Sequence, residues 1–179
     1  IQTYQMAYHA ILDECRKSEN PVIVMDLDET VLDNSNYQVG LSEKNESYNP
    51  ESWSVWVNQE EANLVPGAKE FILNYKKIKN SKIIFLSNRM DKNLNATKNN
   101  MKKLSILFDD DIFLLRLDKE DTKVVRRNEI TNGIGRMEKY GKQRVIAYFG
   151  DAMGDFPDDL NYQWTVNKFI FPNPMYGKW

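Results

Sequence analysis

Five short apolar runs, each closed by a polar or turn-forming cluster, constrain this chain more than any other feature. Val22-Ile23-Val24-Met25 stops at Asp26. Lys82-Ile83-Ile84-Phe85-Leu86 stops at Ser87-Asn88-Arg89, Ile112-Phe113-Leu114-Leu115 follows, and Arg144-Val145-Ile146-Ala147-Tyr148-Phe149 stops at Gly150-Asp151. A weaker run, Phe169-Ile170-Phe171, is closed by Pro172-Asn173-Pro174. Such runs have no polar face to offer water, so they suit strands buried on both sides in a parallel sheet. Each is also far too short for a membrane helix, which needs roughly 18 consecutive apolar residues.

Helical patterns lie between the runs. Tyr4, Ala7, Tyr8, Ile11, Leu12 and Cys15 share one face of a helix over Tyr4–Arg16, which Asn20-Pro21 ends. Phe71, Ile72, Tyr75 and Ile78 predict a helix over 68–79. The segment 91–104 opens on Asp91, a predicted cap, and carries its basic residues late, which suits the helix dipole. A third helix over 123–140 is expected to break at Gly133 or Gly135. Strands alternating with helices predict an α/β fold with a mostly parallel sheet. Residues 33–64 interrupt that alternation: they are polar, hold Asn49-Pro50, and then show a short aromatic helix pattern around Trp53 and Trp56. We read them as an insertion over the ends of the strands, the usual ligand location in open α/β sheets. A chain of 179 residues has room for one such domain.

In a parallel sheet the polar clusters meet at one edge. The first is Asp26-Leu27-Asp28-Glu29-Thr30, continuing to Asp33-Asn34-Ser35; the second is Ser87-Asn88-Arg89. The third is Lys123 with Arg126 and Arg127, and the fourth is Gly150-Asp151 followed by Asp155. Asp26, Asp28, Asp151 and Asp155 would repel one another without a cation, and an all-oxygen set suits a hard ion such as Mg²⁺. Lys123, Ser87 and Asn88 add a positive charge and neutral donors, so the pocket suits a phosphoryl group. A carboxylate can itself be the nucleophile. Asp28, two residues along a strand from Asp26, would point the same way and could protonate the leaving oxygen. Taken singly, each cluster has a plainer reading as a turn, a cap or a solvated face. Their joint placement at the ends of different strands favours chemistry.

Composition excludes several alternatives. Lys and Arg total 24 against 26 Asp and Glu, so no bulk positive charge is available to hold a nucleic-acid polymer. Cys15 is the only cysteine, which excludes an internal disulfide framework and a multi-cysteine zinc site. His9 is the only histidine and lies on the first helical stretch, which argues against a histidine nucleophile. Trp53 and Trp56, three residues apart, share a helix face, and Tyr37 and Tyr176 adjoin motifs at the same edge. These four aromatics either stack on a flat leaving group or pack the insertion.

The pattern Asp26-Leu27-Asp28-Glu29-Thr30-Val31-Leu32-Asp33-Asn34-Ser35 with Tyr37 resembles the first motif of bacterial class C non-specific acid phosphatases, in the haloacid dehalogenase (HAD) superfamily. The resemblance continues through Trp53-x-x-Trp56, Val65-Pro66-Gly67-Ala68, Ser87-Asn88-Arg89, Lys123-x-x-Arg126 and Gly150-Asp151-x-x-x-Asp155-Phe156. It ends with Pro172-Asn173-Pro174-Met175-Tyr176-Gly177 and Trp179. It implies a single HAD-like three-layer domain over 1–179, with 33–64 as a small, largely helical cap. It implies Asp26 as nucleophile and Asp28 as acid/base. Mg²⁺ would be held by Asp26, the Asp28 carbonyl and Asp151, with Asp155 supporting its water shell. Ser87, Asn88 and Lys123 would bind the phosphate. Lys119 competes with Lys123, but Lys123 keeps the spacing to Arg126. The implied substrates are nucleoside 5′-monophosphates and aryl phosphates, with Tyr37, Trp53, Trp56 and Tyr176 as candidate contacts. The competing expectations are a narrower sugar-phosphate phosphatase or phosphotransferase, and a non-catalytic relative similar to plant storage proteins of this fold. A homodimer is also expected. A chain that begins at Ile1 is read as processed or trimmed, with any signal or lipid anchor upstream and a periplasmic or cell-surface location.

The sequence departs from the family in two places. Asp151 is followed by Ala152-Met153-Gly154 where relatives often carry a polar residue, and the stretch between Phe156 and the terminal motif is short. Both bear on the pocket wall more than on the chemistry.

Overall fold

A computed structural model describes residues 1–176; Gly177 and Trp179 of the terminal motif lie outside the described residues. In chain order the elements are α1 (Gln2–Lys17), β1 (Val22–Met25), β2 (Leu32–Asp33), α2 (Ser35–Glu43), α3 (Pro50–Gln59), β3 (Asn63–Leu64) and α4 (Ala68–Tyr75). They continue with β4 (Lys82–Met90), α5 (Leu94–Lys103), β5 (Ile112–Arg116), α6 (Lys123–Asn132), β6 (Val145–Gly150) and β7 (Lys168–Ile170). The main sheet has the order β5-β4-β1-β6-β7, and every pairing in it is parallel. The α/β architecture expected from the alternating runs is therefore the one observed.

Strand alternation divides the core in two. Ile23, Met25, Ile83, Phe85, Ala147 and Phe149 face one side, against Tyr4, Ala7 and Ile11 of α1, Phe71, Ile72 and Tyr75 of α4, and Met101 of α5. Val22, Val24, Ile84, Leu86 and Tyr148 face the other, against Ile130 of α6, Met137 and Phe156. Both faces are covered, which is why the central strand β1 and its neighbour β6 carry no charged residue within them. The result is three layers with β1 at the centre of the sheet. The chain leaves β1 toward β4 and β5, then crosses to β6 on the other side, so the crevice beyond β1 is the switch point of the topology.

Local chemistry sets the helix ends. Asn49 accepts a hydrogen bond from Ser52 N–H at 2.8 Å, and Pro50 supplies a ready helical φ at the first position of α3. The long helix expected over 123–140 stops at Asn132. Gly133 takes φ +65°, and a Cβ there would meet the backbone nitrogen of Lys142 at 2.4 Å. The chain resumes as a 3₁₀ turn over Gly135–Tyr140. Asp91 is not a cap. It opens a 3₁₀ turn, and Asn93 occupies the position before α5 without a side-chain cap bond. β4 also runs past Leu86, so Ser87-Asn88-Arg89 lies inside the strand rather than after it, with an irregular register against β5 between Ser87 and Met90.

The segment over 33–64 is enclosed by a two-residue antiparallel ribbon, Leu32 with Leu64 and Asp33 with Asn63, so both ends leave the core at one point. Between them α2 and α3 pack through Tyr37, Leu41, Trp53, Trp56 and Val57. α2 had no clear sequence signal, because only Tyr37 and Leu41, four residues apart, are buried along it.

Candidate active site

Asp26 immediately follows β1, and its N–H donates to the Phe149 carbonyl of β6 at 2.9 Å, which holds it at the centre of the sheet edge. The backbone then turns sharply. Leu27 O accepts from Val31 and Leu32 N–H, each at 2.8 Å, and Glu29 adopts φ +56°. Asp28 therefore reaches the crevice by a turn, not by the strand alternation expected from its spacing. Asp26, Asp28, Asn88, Lys123, Asp151 and Asp155 line one cleft of about 630 Å³. Residues from four separate stretches of chain thus converge at the switch point.

Lys123, at the first turn of α6, is buried between two acids. Its Nζ donates to Asp26 Oδ1 at 2.6 Å and also to Asp155 Oδ1. Burial opposes the charge on Lys123, but Asp26 and Asp155 outweigh it and hold its pKa above the ordinary value. Asp155 Oδ2 accepts the N–H groups of Asp151 and Ala152, both at 3.0 Å. That clamp requires Gly150, because a Cβ there would sit 2.3 Å from the Asp155 carboxylate. Asn173 donates to Asp151 Oδ2 at 2.7 Å and accepts from Met175 and Tyr176 N–H, so the terminal Pro-Asn-Pro turn is tied to the second acidic motif.

Carboxylate oxygens of Asp26, Asp151 and Asp155 lie within 4.8 Å of one another, and all three residues are buried. Burial raises the pKa of Asp26 well above the usual carboxylate range, and repulsion from Asp155, Asp28 and Asp151 adds to this against the pull of Lys123. Burial likewise pushes Asp151 up to about 6. One lysine does not balance this set. The surplus negative charge and the oxygen-only donors fit a small divalent cation.

Asp28 is held differently. Its Oδ1 accepts from Arg89 Nε at 2.9 Å and from Asn34 Nδ2 at 3.0 Å, and Arg89 Nη2 lies 2.8 Å away as an ion pair. Among the described residues the other Asp28 oxygen has only Ser87 Oγ, at 3.4 Å. Arg126 is fully buried and donates to the Ser87 carbonyl at 2.5 Å and to Asn88 Oδ1 at 2.6 Å. With its oxygen engaged, the Asn88 amide is left to present its N–H₂ to the cleft.

The aromatics divide. Trp53 and Tyr176 line the cleft, joined by Tyr48. Trp56 and Tyr37 do not line it: Trp56 Nε1 donates to Asn34 Oδ1 at 2.9 Å, and the Tyr37 hydroxyl is paired with Ser52 Oγ at 2.7 Å. Both are buried behind Trp53, whose ring lies 5.0 Å from that of Tyr37. Sequence spacing put the two tryptophans on one helix face but could not say which would meet the crevice. Lys119 lies outside the cleft lining, and its carbonyl accepts from Arg116. His9 lies on α1, away from the acids, beside Tyr8. No role could be read from the sequence for Asn34, Arg89, Asn173, Tyr48 or Arg116. The first three stand inside quoted motifs, which was the only signal available.

A family model described as HAD superfamily, subfamily IIIB (acid phosphatase), matches residues 1–179. The chain belongs to this acid phosphatase family. The class C acid phosphatase from Bacillus anthracis, in a crystal structure with tungstate bound, is 29% identical over 99% of this chain and 78% of its own, with a TM-score of 0.80. A second structure of that enzyme gives 28% identity over the same shares and the same TM-score. A chain of the Pnkp1/Rnl/Hen1 RNA repair complex, 17% identical over 90% of this chain and 45% of its own, matches with a TM-score of 0.57, a likeness of fold alone. Family and structural likeness together make the chain a phosphomonoesterase of the acid phosphatase type.

Proposed function

We propose that the chain hydrolyses phosphate monoesters through a phosphoryl-enzyme intermediate on Asp26, with nucleoside 5′-monophosphates and aryl phosphates as substrates. The carrying observation is the Asp26–Lys123–Asp155 contact beside Asp151, a buried carboxylate held by one lysine among more acids than that lysine can neutralise. Tungstate bound to the Bacillus anthracis relative supports the reading, because it is a tetrahedral oxyanion like phosphate.

In the first step an Asp26 oxygen attacks phosphorus, an O–P bond forms, and the bond to the leaving oxygen breaks as Asp28 donates its proton there. In the second step Asp28 accepts a proton from water, which attacks the phosphoryl group and releases Asp26. Lys123 fixes the attacking carboxylate and offsets its charge. Asn88 donates to a phosphoryl oxygen, with Ser87 beneath it. Arg89 and Asn34 hold Asp28 by one oxygen so that the other faces the substrate. Asp26, Asp151 and the Asp28 carbonyl would hold Mg²⁺, with Asp155 behind them. When bound, the cation offsets the carboxylate charge and polarises the phosphoryl group. The cleft aromatics Trp53, Tyr48 and Tyr176 would take the flat part of the leaving group.

The test is a hydrolysis screen over nucleotides, aryl phosphates and sugar phosphates, with Mg²⁺ and with EDTA. Broad activity that EDTA abolishes and Mg²⁺ restores supports the reading. Activity confined to one sugar phosphate favours the narrower enzyme, and full activity in a verified metal-free sample removes the cation from the mechanism.

A further inference from the structure

We propose that Arg116 forms a second anion subsite in the cleft, selecting phosphate monoesters whose leaving group carries an additional phosphate or carboxylate. The proposal rests on the reading of this cleft as the site of phosphoryl transfer, and it concerns the leaving group alone.

Among the described residues three cations line the cleft: Arg89, Lys123 and Arg116. Two are committed to carboxylates. Arg89 is buried against Asp28, and Lys123 is buried between Asp26 and Asp155. Arg116 is not. Its Nε donates to the Asp118 carbonyl at 2.8 Å and its Nη2 to the Lys119 carbonyl at 3.2 Å, both in its own loop. Among the described residues it pairs with no carboxylate, so its full charge is available to the cleft. The two carbonyl bonds fix the guanidinium plane, which lowers the cost of ordering it on a ligand.

Position and surroundings fit an anion reader. Arg116 ends β5, the edge strand of the sheet, and pairs in register with Met90 at the end of β4. It therefore lies to one side of the catalytic acids at the central β1. Tyr48 lines the same cleft as Arg116; burial, Tyr37 and Asp28 raise the pKa of its hydroxyl and Arg116 opposes them weakly, so the two share one part of the cleft. A leaving group that lays a ring against Tyr48, Trp53 or Tyr176 would carry its second anion within this neighbourhood. The cleft otherwise repels a further negative group through its four aspartates, so an uncommitted arginine there has a substrate-sorting role.

The experiment compares kcat/KM for matched pairs in the wild type, Arg116→Gln and Arg116→Lys, each supplied with Mg²⁺. One pair is phenyl phosphate with 3- or 4-carboxyphenyl phosphate; the other is AMP with adenosine 3′,5′-bisphosphate. The quantity read is the ratio within each pair. The wild type should favour the anion-bearing member by about 10-fold, the scale of one charge-assisted hydrogen bond. Arg116→Gln should bring the ratio to about 1, Arg116→Lys should restore part of it, and added salt should weaken it. A preference in the carboxyphenyl pair alone assigns the subsite to carboxylates, and one in the nucleotide pair alone assigns it to phosphates. A ratio near 1 in the wild type for both pairs overturns the proposal, as does a preference that survives Arg116→Gln. Proportional losses on both members of a pair would mark Arg116 as a loop tie only. If the wild type hydrolyses neither phenyl phosphate nor AMP, the reading of the cleft itself fails, a result distinct from hydrolysis without preference.

Discussion

Replacing Lys123 by Met should destabilise the metal-free protein and make its stability depend strongly on Mg²⁺. Lys123 is buried, and its Nζ is shared by Asp26 Oδ1 and Asp155 Oδ1. Methionine fills a similar volume but leaves both acids facing Asp151 with no counter-charge. Removing one partner of a buried ion pair costs about 3–5 kcal/mol. Protonation of Asp26, whose pKa is already raised by burial, limits the cost to that range rather than doubling it for two acids. For a chain of this size 1 kcal/mol corresponds to roughly 2–4 °C in Tm, so a drop of about 6–20 °C is expected. The assay is thermal unfolding at pH 7 in EDTA and in Mg²⁺. The variant should gain more from Mg²⁺ than the wild type does, because the ion then supplies the missing positive charge. Adding Asp155→Asn to Lys123→Met should recover part of the loss in EDTA. A Lys123→Met protein as stable as wild type in EDTA, with no added response to Mg²⁺, would refute the charge argument.

Three further outcomes follow from the geometry. Gly150→Ala should lower kcat by at least about 100-fold, because its Cβ would displace the Asp155 carboxylate that orders Lys123 and the Asp151 loop; near-normal kcat in steady-state assays would contradict the clamp. Trp53→Ala should raise KM for aryl phosphates, by about 5- to 150-fold if stacking of roughly 1–3 kcal/mol is lost, whereas Trp56→Phe should lower Tm through the lost bond to Asn34 and spare KM. The reverse pattern in kinetics and melting would exchange their roles. Burial pushes Asp111 up to about 6 although Phe108 N–H and Lys76 favour its charged form. The folded state therefore holds this proton more tightly than the unfolded chain, and stability falls as pH rises from about 4 to 6, by at most about 3 kcal/mol. Asp111→Asn keeps an acceptor for Phe108 and should gain on the wild type across that window in pH-dependent melting; a constant difference would exclude the titration.

The sheet could be read from the sequence because strands covered on both faces must be apolar throughout. Val22–Met25 and Val145–Phe149 could serve no other element of that length. The acids were legible for a related reason: a charge directly after such a strand can only emerge at the sheet edge. The segment over 33–64 was less legible. α2 buries only Tyr37 and Leu41, too few positions to show a helical period in a polar stretch. The division between Trp53 and Trp56 depends on how α3 sits over Asn34, a tertiary fact that a three-residue spacing does not carry. Asp28 was assigned to the cleft by strand alternation, but the turn through Glu29 at φ +56° delivers it. Arg116 gave no signal, because its meaning lies in the absence of an acidic partner among the described residues, and pairing is invisible before folding.

The measurement that tests the account most directly is the stereochemical course at phosphorus. A substrate whose phosphoryl group is made chiral with oxygen isotopes or sulfur is hydrolysed in isotopically labelled water with Mg²⁺ present, and the configuration of the released phosphate is determined. Attack by Asp26 inverts phosphorus once, and attack by water on the phosphoryl-aspartate inverts it again. The account therefore predicts net retention. Net inversion would mean that water attacks the substrate directly, and it would contradict Asp26 as the nucleophile.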